Sequence, residues 1–116
     1  MEPRLDITMN QPKLEENASR ANRTAALIRL GEALRELERY KEALQAFDEA
    51  IAQTGETTRL LNLKGITLCD LDRFEEAEKT FTRTTEIAPD DSAASLRLAR
   101  LQLSMRKYAV AQKHAT

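Results

Sequence analysis

The sequence predicts an all-α fold, a solenoid of stacked antiparallel helical hairpins. Its composition favours helix, because the 116 residues include only three glycines and three prolines and are rich in alanine, leucine and charged helix formers. The chain also matches itself when it is shifted by 34 residues, and each copy carries apolar stripes with helical spacing. These observations predict two full hairpins, over residues 24–57 and 58–91, and a partial third over residues 92–116.

The first copy consists of two amphipathic stripes separated by the polar pair Glu38-Arg39. We therefore predict helices over residues 24–37 and 40–53, joined as an antiparallel hairpin by a short turn. Small residues stand where the two helices must approach closely, and large ones where the gap must be filled. The stripes are Leu27, Leu30, Gly31, Leu34 and Leu37, then Tyr40, Ala43, Leu44, Phe47, Ala50 and Ile51.

The second copy repeats this pattern and predicts helices over residues 58–71 and 74–87. Gly55 is expected to end the helix before it, because glycine favours the position that follows a helix. Thr57 is expected to cap the helix after it, because a threonine hydroxyl accepts a hydrogen bond from a free amide at a helix start. The break between the copies therefore has its own sequence signal.

The third copy is weaker and rests mainly on its register. It predicts helices over residues 92–105 and 108–115. Pro89 is expected to stop the preceding helix, and Asp91 or Ser92 to cap the next one.

Residues 1–23 allow two descriptions. They form an N-terminal arm, flexible over residues 1–11, or they extend the first helix, whose apolar stripe continues back through Ala25, Ala21, Ala18 and Leu14.

The repeated residues resemble the tetratricopeptide repeat pattern W-x2-L-G-x2-Y, A-x3-F and P. The resemblance implies a right-handed superhelix with two full repeats and a partial third. It also implies a non-catalytic scaffold or adaptor that binds a peptide or partner protein in a concave groove lined by the first helix of each hairpin. The matching residues are Leu30-Gly31, Ala43 and Phe47 in the first copy, Gly65, Ala77, Phe81 and Pro89 in the second, and Leu98 and Ala111 in the third.

The positions that this implies for the groove carry both apolar and basic side chains. Apolar residues without a role in the core suggest a surface that a partner covers, and arginine suits carboxylates. We therefore expect a peptide with apolar and acidic groups, although the arginines have an alternative in surface pairs with Glu32, Glu36 and Asp70. The candidate residues are Ile28, Arg29, Glu32, Arg59, Asn62, Leu63, Ile66, Leu96, Arg97 and Arg100.

The end of the chain suggests a different function, self-assembly through the terminal half-repeat. Leu101, Met105, Tyr108 and Val110 have little obvious cover, and residues 92–116 carry five bases and no acid. The alternative is a fragment of a longer array with a frayed end. Nucleic-acid contact through this basic segment is a distant third hypothesis, because no base-reading motif accompanies it.

The sequence contains no recognisable motif for catalysis, cofactor binding or metal binding. One cysteine, Cys69, and one histidine, His114, make neither a disulfide framework nor a metal site, and no glycine-rich phosphate loop occurs. No segment has the length and apolarity of a membrane span or signal peptide. We expect a cytoplasmic protein that is not an enzyme.

Overall fold

A computed structural model describes the backbone of residues 2–115 and the side chains of residues 15–113. The described backbone is entirely helical apart from its connections: α1 (Glu2–Glu36), α2 (Tyr40–Thr54), α3 (Thr58–Asp70), α4 (Phe74–Ile87) and α5 (Ser92–Ala115). α1 pairs with α2 and α3 with α4, while α3 packs on α2 and α5 on α4. The predicted all-α helical-repeat solenoid is confirmed.

The two hairpin turns have the same geometry. Glu38 and Asp72 occupy the left-handed region, with φ of 61° and 58°. After each of them an arginine directly precedes the next helix, and its guanidinium donates two hydrogen bonds to a carboxylate three residues later. These pairs are Arg39 with Glu42 and Arg73 with Glu76. The repeat therefore extends to the chemistry of the turn.

The core divides into two clusters, and each contains the phenylalanine of one hairpin. The ring of Phe47 lies against Gly31 in the first, and the ring of Phe81 lies against Gly65 in the second. Phe47 is fully buried and Phe81 nearly so. The first cluster joins Leu34, Ala43, Phe47, Ala50 and Leu60, and the second joins Leu44, Leu68, Ala77, Phe81 and Leu101.

The predicted helix boundaries are confirmed at the breaks between repeats. Gly55, with φ of 88°, follows α2 and donates its N–H to the Ile51 carbonyl over 2.7 Å. The Thr57 hydroxyl accepts from the Leu60 amide over 3.2 Å. Of the two candidate caps for α5, the structure has Asp91, whose carboxylate accepts the amides of the second and third residues of the helix.

The first helix is longer than the repeat requires. α1 begins at Glu2, so the backbone of residues 2–23 belongs to the helix. Of the two predicted descriptions of this segment, the extended first helix is therefore the one observed. The flexible arm predicted over residues 1–11 is wrong for residues 2–11. Met1 lies outside the described residues.

The last helix corrects the predicted break between residues 105 and 108, since α5 continues through it. Arg106 and Lys107 stand where the other copies have a left-handed acidic residue and an arginine, and Val110 replaces the carboxylate that this arginine binds. The third copy therefore lacks the interactions that turn the chain, and the strong helix formers at residues 105–107 propagate the helix instead. The segment is one helix and not two.

Candidate functional site

The first helices of the repeats, α1, α3 and α5, lie side by side along one face of the molecule. Two ion pairs connect α1 to α3: Arg59 Nη2 lies 3.2 Å from Glu32 Oε1, and Arg35 Nε lies 3.0 Å from Asp70 Oδ2. The sequence left two roles open for the groove arginines, partner binding and surface ion pairs. Arg59 has the second role, because it pairs with Glu32.

Three further groove candidates between α1 and α3 are half-buried. Ile28 and Leu63 pack against the first core cluster, so they already contribute to the fold. The side-chain oxygen of Asn62 is buried and has no hydrogen-bond partner among the described residues. This part of the face offers few free groups.

A cleft of about 310 Å³ separates α3 from α5. Its wall is largely apolar and is built by the second hairpin together with the N-terminal half of α5. Arginine side chains stand on the α5 side. The lining residues are Ile66, Cys69, Asp70, Phe74, Phe81, Arg97, Arg100, Leu101 and Ser104.

The two arginines of this cleft are unpaired. Within residues 15–113, neither Arg97 nor Arg100 makes an ion pair or a side-chain hydrogen bond. Asp70, the carboxylate in the cleft, is held by Arg35 from α1. Because a guanidinium binds a carboxylate with paired hydrogen bonds, the cleft can accept an acidic group beside an apolar side chain.

Cys69 faces the same cleft as a free thiol. Partial burial raises its pKa above the ordinary value, and the neighbouring Asp70 charge raises it further. A raised pKa keeps the thiol protonated at neutral pH, which disfavours a nucleophilic role.

A second, more polar depression of about 560 Å³ lies between residues 17–29 of α1, the end of α2 and the start of α3. It contains Ile28, Arg29 and Arg59. Six of the ten predicted groove residues are therefore divided between two depressions. The other four, Glu32, Asn62, Leu63 and Leu96, line neither of them, and Leu96 is 51% exposed on α5.

The residues proposed for self-assembly do not form one exposed surface. Leu101 is buried in the second core cluster, and Met105 packs against that cluster, because α4 covers this side of α5. Tyr108 and Val110 remain more than half exposed, and the Tyr108 ring lies 6.5 Å from that of Phe74. The expectation that Leu101 lacks cover is corrected.

Besides Ile66, Arg97, Arg100 and Leu101 from the predicted site, the cleft is lined by Cys69, Asp70 and Ser104 on the first helices and by Phe74 and Phe81 on α4. Sequence reasoning assigned both phenylalanines to the hairpin stripes. The repeat register could have placed Phe74 in the cleft. An aromatic residue begins the second helix of each hairpin, and that position lies near the end of the first helix.

Among the described residues no group of three potential metal ligands occurs. No helix in the same part of the chain combines the length and apolarity needed to cross a bilayer.

Comparison with known protein families gives two matches, and both are to tetratricopeptide repeat models. One covers residues 24–56 and the other residues 62–114. No curated protein matches the chain.

Proposed function

Because this chain belongs to the tetratricopeptide repeat family, we propose that it is a non-catalytic adaptor that binds a peptide or partner protein at the α3–α5 cleft. Tetratricopeptide repeats generally mediate protein–protein interactions. The observation that supports this location is the pair of unpaired guanidiniums, Arg97 and Arg100, beside an apolar wall.

The cleft favours a ligand with an acidic residue next to an apolar one. The carboxylate would receive hydrogen bonds from Arg97 or Arg100, and the apolar side chain would lie against Ile66 and Phe81. The apolar wall reduces solvent screening, so the attraction is stronger there than on an open surface. The preference for an acidic and apolar partner thus depends on the side of the cleft that α5 forms.

The test uses peptides selected from a random displayed library and titrated by fluorescence anisotropy. We expect enrichment of sequences with Asp or Glu beside a large apolar residue. The double variant Arg97→Glu/Arg100→Glu should weaken their binding by at least about tenfold, since a hydrogen bond to a charged group contributes about 1.5–3 kcal/mol.

The matched control is Arg106→Glu/Lys107→Glu, which makes the same charge change on the same helix outside the cleft. It should retain most of the affinity. Equal loss in both double variants would mean that the net charge of α5, and not the cleft, attracts the peptides, and the proposed location would be wrong.

A further inference from the structure

The strongest unassigned feature is one face of α1 together with the residue that follows the helix, which we call the front face: Ala26, Leu30, Ala33 and Leu37. In the 34-residue register these positions correspond to one face of α3 and one face of α5. The equivalents are Leu60, Lys64 and Thr67 on α3 with Leu71 directly after it, and Ala94, Leu98, Leu101 and Met105 on α5.

The corresponding faces of α3 and α5 are covered. On α3, Leu60 and Thr67 are 2% and 0% exposed, and on α5, Ala94 and Leu101 are 0% and 6% exposed. The cover is the preceding helix of the array, α2 for α3 and α4 for α5. Through this face, α3 and α5 therefore each pack against the second helix of the preceding hairpin.

On α1 the same face is uncovered. Leu30 is 50% exposed and Leu37 is 66% exposed, and both alanines between and before them are exposed. A preceding repeat in this register would have its connection at residues 20–23, the equivalents of residues 54–57. The backbone is helical there, so no preceding hairpin of this register covers α1.

We propose that the front face of α1 binds the same face of a second copy of this chain, with the two helices antiparallel. The face alternates small and large side chains. When two copies are aligned around the midpoint between Leu30 and Ala33, each leucine of one meets an alanine of the other: Leu30 faces the partner's Ala33, and Leu37 faces the partner's Ala26. Large-to-small matching of this kind is how packed helices interdigitate.

The charges at the edge of the face agree with this arrangement. Arg29 and Glu36 are seven residues apart, which places them on the same edge of the helix. Among the described residues neither makes an ion pair or a side-chain hydrogen bond. In the antiparallel alignment Arg29 of each copy lies about two residues, or about 3 Å along the axis, from the partner's Glu36. Two reciprocal ion pairs therefore lie along one edge of the apolar contact, and the twofold symmetry limits the assembly to a dimer.

The test is the molar mass of the full chain by sedimentation equilibrium over a range of concentrations. We expect a monomer–dimer equilibrium that Leu30→Glu/Leu37→Glu abolishes. The matched control is Leu96→Glu/Leu103→Glu, because these α5 leucines are similarly exposed, at 51% and 54%, and the charge change is the same. The control should dimerise as the unmodified chain does. Circular dichroism confirms that both variants remain helical.

A charge exchange tests the alignment. Arg29→Glu should raise the dissociation constant about tenfold, because it replaces two attractive contacts with two repulsive ones. Adding Glu36→Arg should restore the affinity, since the exchanged charges are again complementary. A monomer at all concentrations, or a dimer unaffected by the Leu30 and Leu37 changes, would overturn the proposal. Failure of the exchange to restore affinity would overturn the antiparallel alignment.

Discussion

The contact between Gly65 and Phe81 determines how closely the helices of the second hairpin approach. A Cβ added at Gly65 would lie 2.7 Å from Phe81 Cζ, inside any real contact distance. The side chain is 3% exposed and belongs to the second core cluster, so a shift of the ring would disturb the packing of that cluster. Gly31 and Phe47 make the same contact in the first hairpin, which explains why the glycine and the phenylalanine repeat together.

We predict that Gly65→Ala destabilises the protein by about 1–2 kcal/mol. Overpacking costs about 1–3 kcal/mol, and the better helix propensity of alanine returns up to about 1 kcal/mol. Urea unfolding followed by circular dichroism measures the change.

The control for this prediction is a double-mutant cycle with Phe81→Leu, which shortens the side chain that meets the new methyl group. Gly65→Ala should then cost much less than it does beside Phe81. Additive effects would show that the ring does not cause the loss.

At the scale of the helix, the sequence was informative wherever a local interaction decides the structure. Gly55 and Thr57 carry the backbone freedom and the hydroxyl that a helix end needs, and both positions are as predicted. The unbroken α5 was missed because the prediction relied on register. The difference is in the side chains at Arg106, Lys107 and Val110, which lack the carboxylate and bidentate arginine of the earlier turns.

The site was less predictable than the fold for a related reason. Arg97 and Arg100 were named from their positions in the repeat, and the structure places both in the α3–α5 cleft. Whether an arginine is free or paired depends on residues far away in sequence, as the pairing of Arg59 with Glu32 shows. The exposure of Leu101 was misjudged because its cover comes from α4, and the sequence gives no packing geometry.

The cap of α5 gives a prediction for a single element. The Asp91 carboxylate accepts the amides of Ala93 and Ala94, at 3.0 and 3.3 Å. Asp91→Ala should therefore lower the free energy of unfolding by about 1 kcal/mol, the usual contribution of such a cap. Asp90→Ala is the control, since it removes the same charge one residue earlier from an exposed side chain, and it should change stability by less than about 0.5 kcal/mol. Equal effects in urea titrations would assign the loss to net charge.

The whole molecule is elongated, 79 by 32 by 17 Å, and its principal helix contacts join neighbours in the chain. In such an array stability is approximately a sum of hairpin terms and the interfaces between them. α5 is therefore best regarded as two parts. Its first half closes the second core cluster through Leu98, Leu101 and Met105, whereas the described residues after Met105 are exposed.

This division predicts different results for two truncated chains. A chain that stops after Met105 should lose about 0.5–1.5 kcal/mol, because the main contact removed is that of Tyr108 with Phe74. A chain that stops after Asp91 should lose several kcal/mol, because each large apolar residue removed from the core contributes about 1.5–3 kcal/mol. Its urea m-value should also fall, since less surface is buried on folding. If the two chains were equally unstable, the residues after Met105 would contribute most of the stability that α5 provides. Stability would then not follow from the contacts between neighbouring helices.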